Sequence, residues 1–176
     1  MNYYTFDEGK KELLLSANKA QVMMEWEKPY MEACIDKLEP SGDVLEIGLG
    51  LGIASRYLLT FPKVKSLTTI EKNADVIELY PKIPRKDEEV FNKHFGHKKH
   101  TIHNLDGLMY VYNTRRRYDF IFLDFYDRID EETLPSIKDM VIGCRRILKE
   151  GGEVVGWLDP HTPEEFVREF EDIFIN

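Results

Sequence analysis

The sequence predicts an α/β fold, one parallel sheet with helices on both faces, and three observations carry that prediction. Five short apolar runs, at 44–47, 66–70, 101–103, 120–123 and 153–157, alternate with stretches of helical spacing. Two of them, in DVLEIG and YDFIFLD, are almost continuously apolar, as strands covered on both sides are. The first strand runs into VLEIGLGLGIA, a glycine-rich turn that opens a helix.

Taken in order, 11–24 and 30–38 read as helices, the second opened by Pro29, whose fixed φ suits a first turn. Helical spacing recurs at 53–59, 74–80, 108–112 and 137–148, between successive strands. The stretch 81–99, rich in Pro, Lys and Glu, reads as a surface loop or a short exposed helix. After the fifth strand the chain supplies one helix, 164–172, and a very short strand in IFIN, a shortened C-terminal end. The organisation expected is a single domain, 1–176, with a helical N-terminal segment at 1–40 and the sheet core at 41–176.

Composition narrows the function classes. With 43% hydrophobic and 12% aromatic residues in 176, the chain is no disordered tail. The net charge of −8, from 24 basic and 32 acidic residues, argues against nucleic acid or an anionic membrane as partner. It suits small ligands that carry positive charge. Cys34 and Cys144 lie in apolar contexts and read as buried thiols of a reducing compartment. The N-terminus MNYYTFDEGKKE has no signal-peptide pattern, and no apolar run approaches the ~20 residues that cross a bilayer, so a cytoplasmic protein is expected. His94, His97, His100 and His103 recur every third residue, but Gly96 interrupts any shared helix, and no metal site is expected. Arg115, Arg116 and Arg117 read as a solvated turn.

The glycine turn indicates a ligand. Gly48, Gly50 and Gly52 let the backbone turn sharply and approach a bound molecule, and the next helix presents its free N–H groups. A dinucleotide fingerprint needs its third glycine where Ile53 stands; the order here is acid-x-Gly-x-Gly-x-Gly, led by Glu46. Glu71 ends the second strand about 20 residues further on, where a carboxylate can accept both hydroxyls of a ribose. Asp106, Gly107 and Leu108 follow the third strand and could frame an adenine, although Asp106 is equally a helix N-cap. Asp124 closes the fourth strand at the same carboxyl edge, where open α/β sheets bind ligands.

These residues, from ExGxGxG through the acid of strand two and Asp-Gly-Leu to FIFLDFYD, resemble the Rossmann-like class I S-adenosylmethionine-dependent methyltransferases over about 40–157. RRILKEGGEVV resembles the segment that precedes that family's fifth strand. Within the superfamily, VMMEWEKPYM is similar to guanidinoacetate methyltransferase and its fungal-type arginine methyltransferase relative, matched at Met23, Trp26, Glu27, Pro29, Tyr30 and Met31. Asp124 and Tyr126 match that family's Asp-x-Tyr.

The resemblance implies S-adenosylmethionine as donor, S-adenosylhomocysteine as product, and a small molecule with a guanidino or amino group as acceptor. It implies that Glu27 and Asp124 face each other across the donor. A guanidinium has no free lone pair, so two carboxylates would grip it by paired N–H···O bonds, with Asp124 taking the proton and Glu27 orienting. Tyr126 would add a hydrogen bond or a wall. Against this, Glu27 also reads as a first-turn helix residue, and Met23, Trp26 and Met31 as core. The segment WLDPHTPEE lacks a clamp for a substrate carboxylate, which disfavours guanidinoacetate itself. GLGLG and TTIEKNADVI also resemble spermidine synthases, an aminopropyltransferase alternative whose N-terminal β-hairpin domain and acidic signature are not read in this sequence. A donor-binding protein without catalysis is the third reading. An exposed strand edge left by the short C-terminus would favour a homodimer.

Overall fold

The computed structural model describes residues 4–9, 11–15, 21–125 and 132–156, with Glu164 and Arg168. The chain opens with three strands, β1 (Tyr4–Asp7), β2 (Glu12–Leu15) and β3 (Gln21–Met24), paired antiparallel in the order β1-β2-β3. The helix predicted at 11–24 is therefore corrected to two strands, and an N-terminal hairpin module is present. Leu13 and Met23 stand opposite each other in the register and both are buried, so pairing across the sheet determines this segment. The turn before β2 is made by Asp7, whose Oδ1 accepts the Gly9 N–H at 2.9 Å. A 3₁₀ turn (Glu25–Glu27) then leads into α1 (Lys28–Asp36), with Pro29 in its first turn as the sequence predicts.

The core alternates β4 (Gly42–Ile47), α2 (Ile53–Thr60), β5 (Val64–Glu71), α3 (Ala74–Leu79), α4 (Glu88–Phe95), β6 (Lys99–Asn104), α5 (Gly107–Asn113), β7 (Tyr118–Leu123), α6 (Leu134–Ile147) and β8 (Leu148–Gly156). All five strands are parallel, in the order β6-β5-β4-β7-β8. The α/β prediction, with helices on both faces of a parallel sheet, holds. The 81–99 stretch resolves into a 3₁₀ turn (Tyr80–Lys82) and the exposed helix α4. Of the predicted C-terminal helix only Glu164 and Arg168 are described, an exposed ion pair one turn apart; IFIN lies outside the described residues.

The near-continuous apolar strands follow from period-two geometry between two helix layers. In β4, Val44 joins the cluster under α1 and α2, with Leu58 and Met31. Its neighbours Leu45 and Ile47 join the opposite cluster under α5 and α6, with Val111 and Met140. β7 divides likewise: Phe120 and Phe122 to the first face, Ile121 and Leu123 to the second. Each such fully buried side chain contributes roughly 1.5–3 kcal/mol by removal from water. Among the described residues no helix is long and apolar enough to cross a membrane. Cys34 and Cys144 are free thiols, the latter buried.

Strand order reverses between β4 and β7, since β5 and β6 lie to one side and β8 to the other. The ends of β4 and β7 therefore meet at the switch point, the crevice where such sheets take ligands.

Candidate active site

At the switch point the two strand ends are stitched together. The Asp124 N–H donates to the Ile47 carbonyl at 2.9 Å, and the Gly48 N–H to Ile70 at 2.9 Å. Gly48 has φ +93°, and a Cβ there would lie 1.8 Å from the Asp124 carbonyl oxygen, so only glycine allows the strands this close. Gly50 is pressed by protein too: a Cβ would come within 2.4 Å of Met23 Sδ. The N-terminal sheet thus sits on the turn, and Met23 Sδ accepts the Leu51 N–H at 3.0 Å.

Glu71 ties the turn to the end of β5. Its Oε2 accepts the Leu49 N–H at 3.0 Å and its Oε1 the Asn73 N–H at 2.8 Å. A carboxylate has about four acceptor positions, so each oxygen keeps one for a ligand hydroxyl. Glu46 is only 1% exposed, and its Oε2 accepts from the hydroxyls of Ser55 and Thr69. Burial pushes its carboxyl up to about 8, against those two hydrogen bonds. It is a strut beneath the turn. Thr69 Oγ1 also lies 2.9 Å from Nε2 of His100, whose ring burial pushes down to about 4. His100 therefore belongs to this internal network. Among the described residues no group of three His, Cys, Asp or Glu side chains could hold a metal.

Of the adenine-side candidates, Asp106 caps α5, its side chain accepting the Met109 N–H at 3.0 Å. Gly107 permits α5 to approach Ile47, whose Cγ2 a Cβ would meet at 2.6 Å, and Leu108 packs on the α5–α6 core. These three residues position the wall of the crevice.

Asp124 and Glu27 are brought within electrostatic reach of each other. Burial, then the charges of Glu27 and Glu71, push the Asp124 carboxyl up to about 7. Glu27 is half-buried at the end of the 3₁₀ turn, where its Oε1 accepts the Met24 N–H at 2.9 Å. Burial raises its carboxyl, opposed by that hydrogen bond. Tyr126 lies outside the described residues, as do Trp157, Asp159, His161 and Thr162. The charges of two further carboxylates thus reach Asp124, which favours a cation beside it and holds this acid near neutrality, poised to exchange a proton.

The remainder of VMMEWEKPYM divides by role. Met23 and Met31 are core, whereas Trp26 is 71% and Tyr30 43% exposed. Sequence reasoning missed Tyr80 and Arg85, which press on the turn at Gly52 and Leu51; pairings across 28 and 34 residues leave no local pattern.

Glycine turn, Glu71 and Asp124 together stand at the carboxyl edge of a Rossmann-like sheet, at its switch point. The chain belongs to the spermine/spermidine synthase domain family, whose model matches residues 33–156. It is 28% identical to the polyamine aminopropyltransferase of Prochlorococcus marinus (strain MIT 9312) over 145 residues, 80% of this chain and 50% of that protein. The chain spans about half the length of the curated relatives it matches. Spermidine synthase from Thermotoga maritima superposes with a TM-score of 0.66 at 20% identity, over 92% of this chain and 55% of that one. A spermidine synthase in complex with the transition state analogue AdoDATO gives 0.70 at 18% identity, over 99% and 72%. At such identities the structural likeness establishes the fold.

The family match overturns the methyltransferase that the glycine order and VMMEWEKPYM imply. S-adenosylmethionine as methyl donor, S-adenosylhomocysteine as product and a guanidino acceptor fall with it. The cause is physical: two of the matched positions, Met23 and Met31, are packing residues, and similar packing at a helix start does not specify a reaction.

Proposed function

We propose that the chain is an aminopropyltransferase, moving the aminopropyl group of decarboxylated S-adenosylmethionine onto a primary amine of a small diamine or polyamine. Membership of the spermine/spermidine synthase domain family supports this, as does the name of the curated relatives. The observation that carries it is Asp124 at the carboxyl edge of the switch point, its carboxyl raised to about 7 by burial and by the charges of Glu27 and Glu71. Donor and acceptor are both cations, so a carboxylate cluster draws them together. A donor with its own carboxylate would be repelled there, which disfavours ordinary S-adenosylmethionine.

An ammonium has no lone pair and must first lose a proton. Asp124, with its carboxyl raised to about 7, accepts that proton near neutral pH. The freed nitrogen attacks the aminopropyl carbon bonded to the sulfonium; the N–C bond forms as the C–S bond breaks. The C–S electron pair returns to sulfur, leaving neutral 5′-methylthioadenosine. Glu27 holds the acceptor in line, and Glu71 takes the ribose hydroxyls. The test is chromatographic detection of methylthioadenosine with decarboxylated donor and a panel of diamines. Amine-dependent release is expected; release of S-adenosylhomocysteine from S-adenosylmethionine instead, or no turnover with any amine, would refute the reading.

A further inference from the structure

Leu51, at the apex of the glycine turn, is gripped from two sides. Its N–H is taken by Met23 on β3. Its carbonyl accepts from the Arg85 guanidinium at 3.1 Å, a reach across 34 residues. Arg85 is itself fixed: its other terminal nitrogen donates to the carbonyls of Tyr80 at 3.0 Å and Ile83 at 3.3 Å. The guanidinium lies 4.6 Å over the Tyr80 ring, a cation–π interaction. That ring in turn closes on the turn, since a Cβ at Gly52 would meet it at 2.0 Å. A rigid fork satisfied by three carbonyls and stacked on an aromatic is a geometry that lysine cannot reproduce.

We infer that Arg85 is a positioning residue for donor binding, holding Gly50–Leu51–Gly52 through the Leu51 carbonyl in the shape that receives the donor. The 80–85 segment is then a brace behind the site, not a bystander loop. None of Asp124, Glu27 or Glu71 touches Arg85 by hydrogen bond among the described residues, so the effect runs through the turn alone. This inference rests on the proposed donor site at the turn.

The test compares wild type with Arg85→Met, Arg85→Lys and a control, Arg56→Met. Arg56 is a nearby arginine whose side chain pairs with Asp87 and Glu88; it meets the turn only through its backbone N–H on the Gly52 carbonyl, which the substitution keeps. Two readouts are taken: calorimetric affinity for decarboxylated S-adenosylmethionine, and amide hydrogen exchange at 50–54 in the ligand-free protein. Arg85→Met should weaken the donor about tenfold, the effect of removing one charge-assisted hydrogen bond, and speed exchange at 50–54. At saturating donor its kcat and its KM for the amine should stay within about twofold of wild type. Arg85→Lys should fall between the two, and Arg56→Met should match wild type in both readouts. Unchanged donor affinity in Arg85→Met, or an equal weakening in Arg56→Met, would overturn the inference. If Arg85→Met does not fold, Arg85→Lys decides by the same comparison. Wild type binding no sulfonium nucleoside would instead strike the donor reading, while the exchange data would still decide whether Arg85 fixes the turn.

Discussion

Carboxylates gather at both ends of the parallel sheet, and the two gatherings behave oppositely. At the amino end, Asp43 and Asp119 share Lys149, at 3.2 and 2.7 Å, and Arg116 stands 3.4 Å from Asp43. The Ser66 hydroxyl, then Lys149, hold the Asp43 carboxyl below its ordinary value. Burial would raise Asp119, but the Lys149 and Asp43 N–H hydrogen bonds prevail and lower it. At the carboxyl end, Asp124 has burial and two like charges acting on it, and its carboxyl rises to about 7. Paired acids fasten a sheet; acids left facing one another wait for a cation. This difference in charge pairing supports the proposed reaction at the carboxyl end.

The largest effect should come from Asp124→Asn, which keeps the shape and removes the base. Turnover should fall about a hundred- to ten-thousand-fold in a methylthioadenosine assay. The same variant sharpens the contrast through stability. A carboxyl whose folded value lies above its unfolded one stabilises the fold below the unfolded value and loses that contribution as pH rises through the folded one. Asp124→Asn should therefore melt above wild type at pH 8, the gap closing as pH falls from about 7 towards 3.8.

Glu27→Gln should raise the amine KM about tenfold, the effect expected when one charged hydrogen bond to the acceptor becomes a neutral one. It should also move the acid limb of the kcat/KM profile to lower pH, because the Glu27 charge is one cause of the raised Asp124 value. A profile that stays in place would separate the two acids. The smallest effect belongs to the amino end. Lys149→Met should cost about 1 kcal/mol or less at pH 7, since these pairs are partly solvated, with turnover unchanged. There the sign reverses: the contribution is present above 3.8, and the cost should fade as pH falls below it.

The sheet was legible because its strands carry period-two and continuous apolar signals that few other structures produce. Glu71 and Asp124 stand at the carboxyl ends of β5 and β7, where the strand pattern predicts them. The N-terminal sheet was not legible: β2 and β3 have four residues each, and Leu13 gains its partner, Met23, only across the pairing. The burial of Glu46 was not legible, because its partners Ser55 and Thr69 sit 9 and 23 residues away. The reaction was misread because the pattern around Trp26 mixes core methionines with one site acid, and no spacing distinguishes a methyl from an aminopropyl donor. The family match separates the two, and the proposed reading adds the charges that Glu27 and Glu71 exert on Asp124.

The most direct measurement is paired calorimetric titration of the wild-type chain with decarboxylated S-adenosylmethionine and with S-adenosylmethionine at about pH 7.5, above the raised Asp124 value. Tighter binding of the decarboxylated donor is the result predicted by three carboxylates at the switch point. Equal affinity, or a preference for the carboxylate-bearing donor, would contradict it.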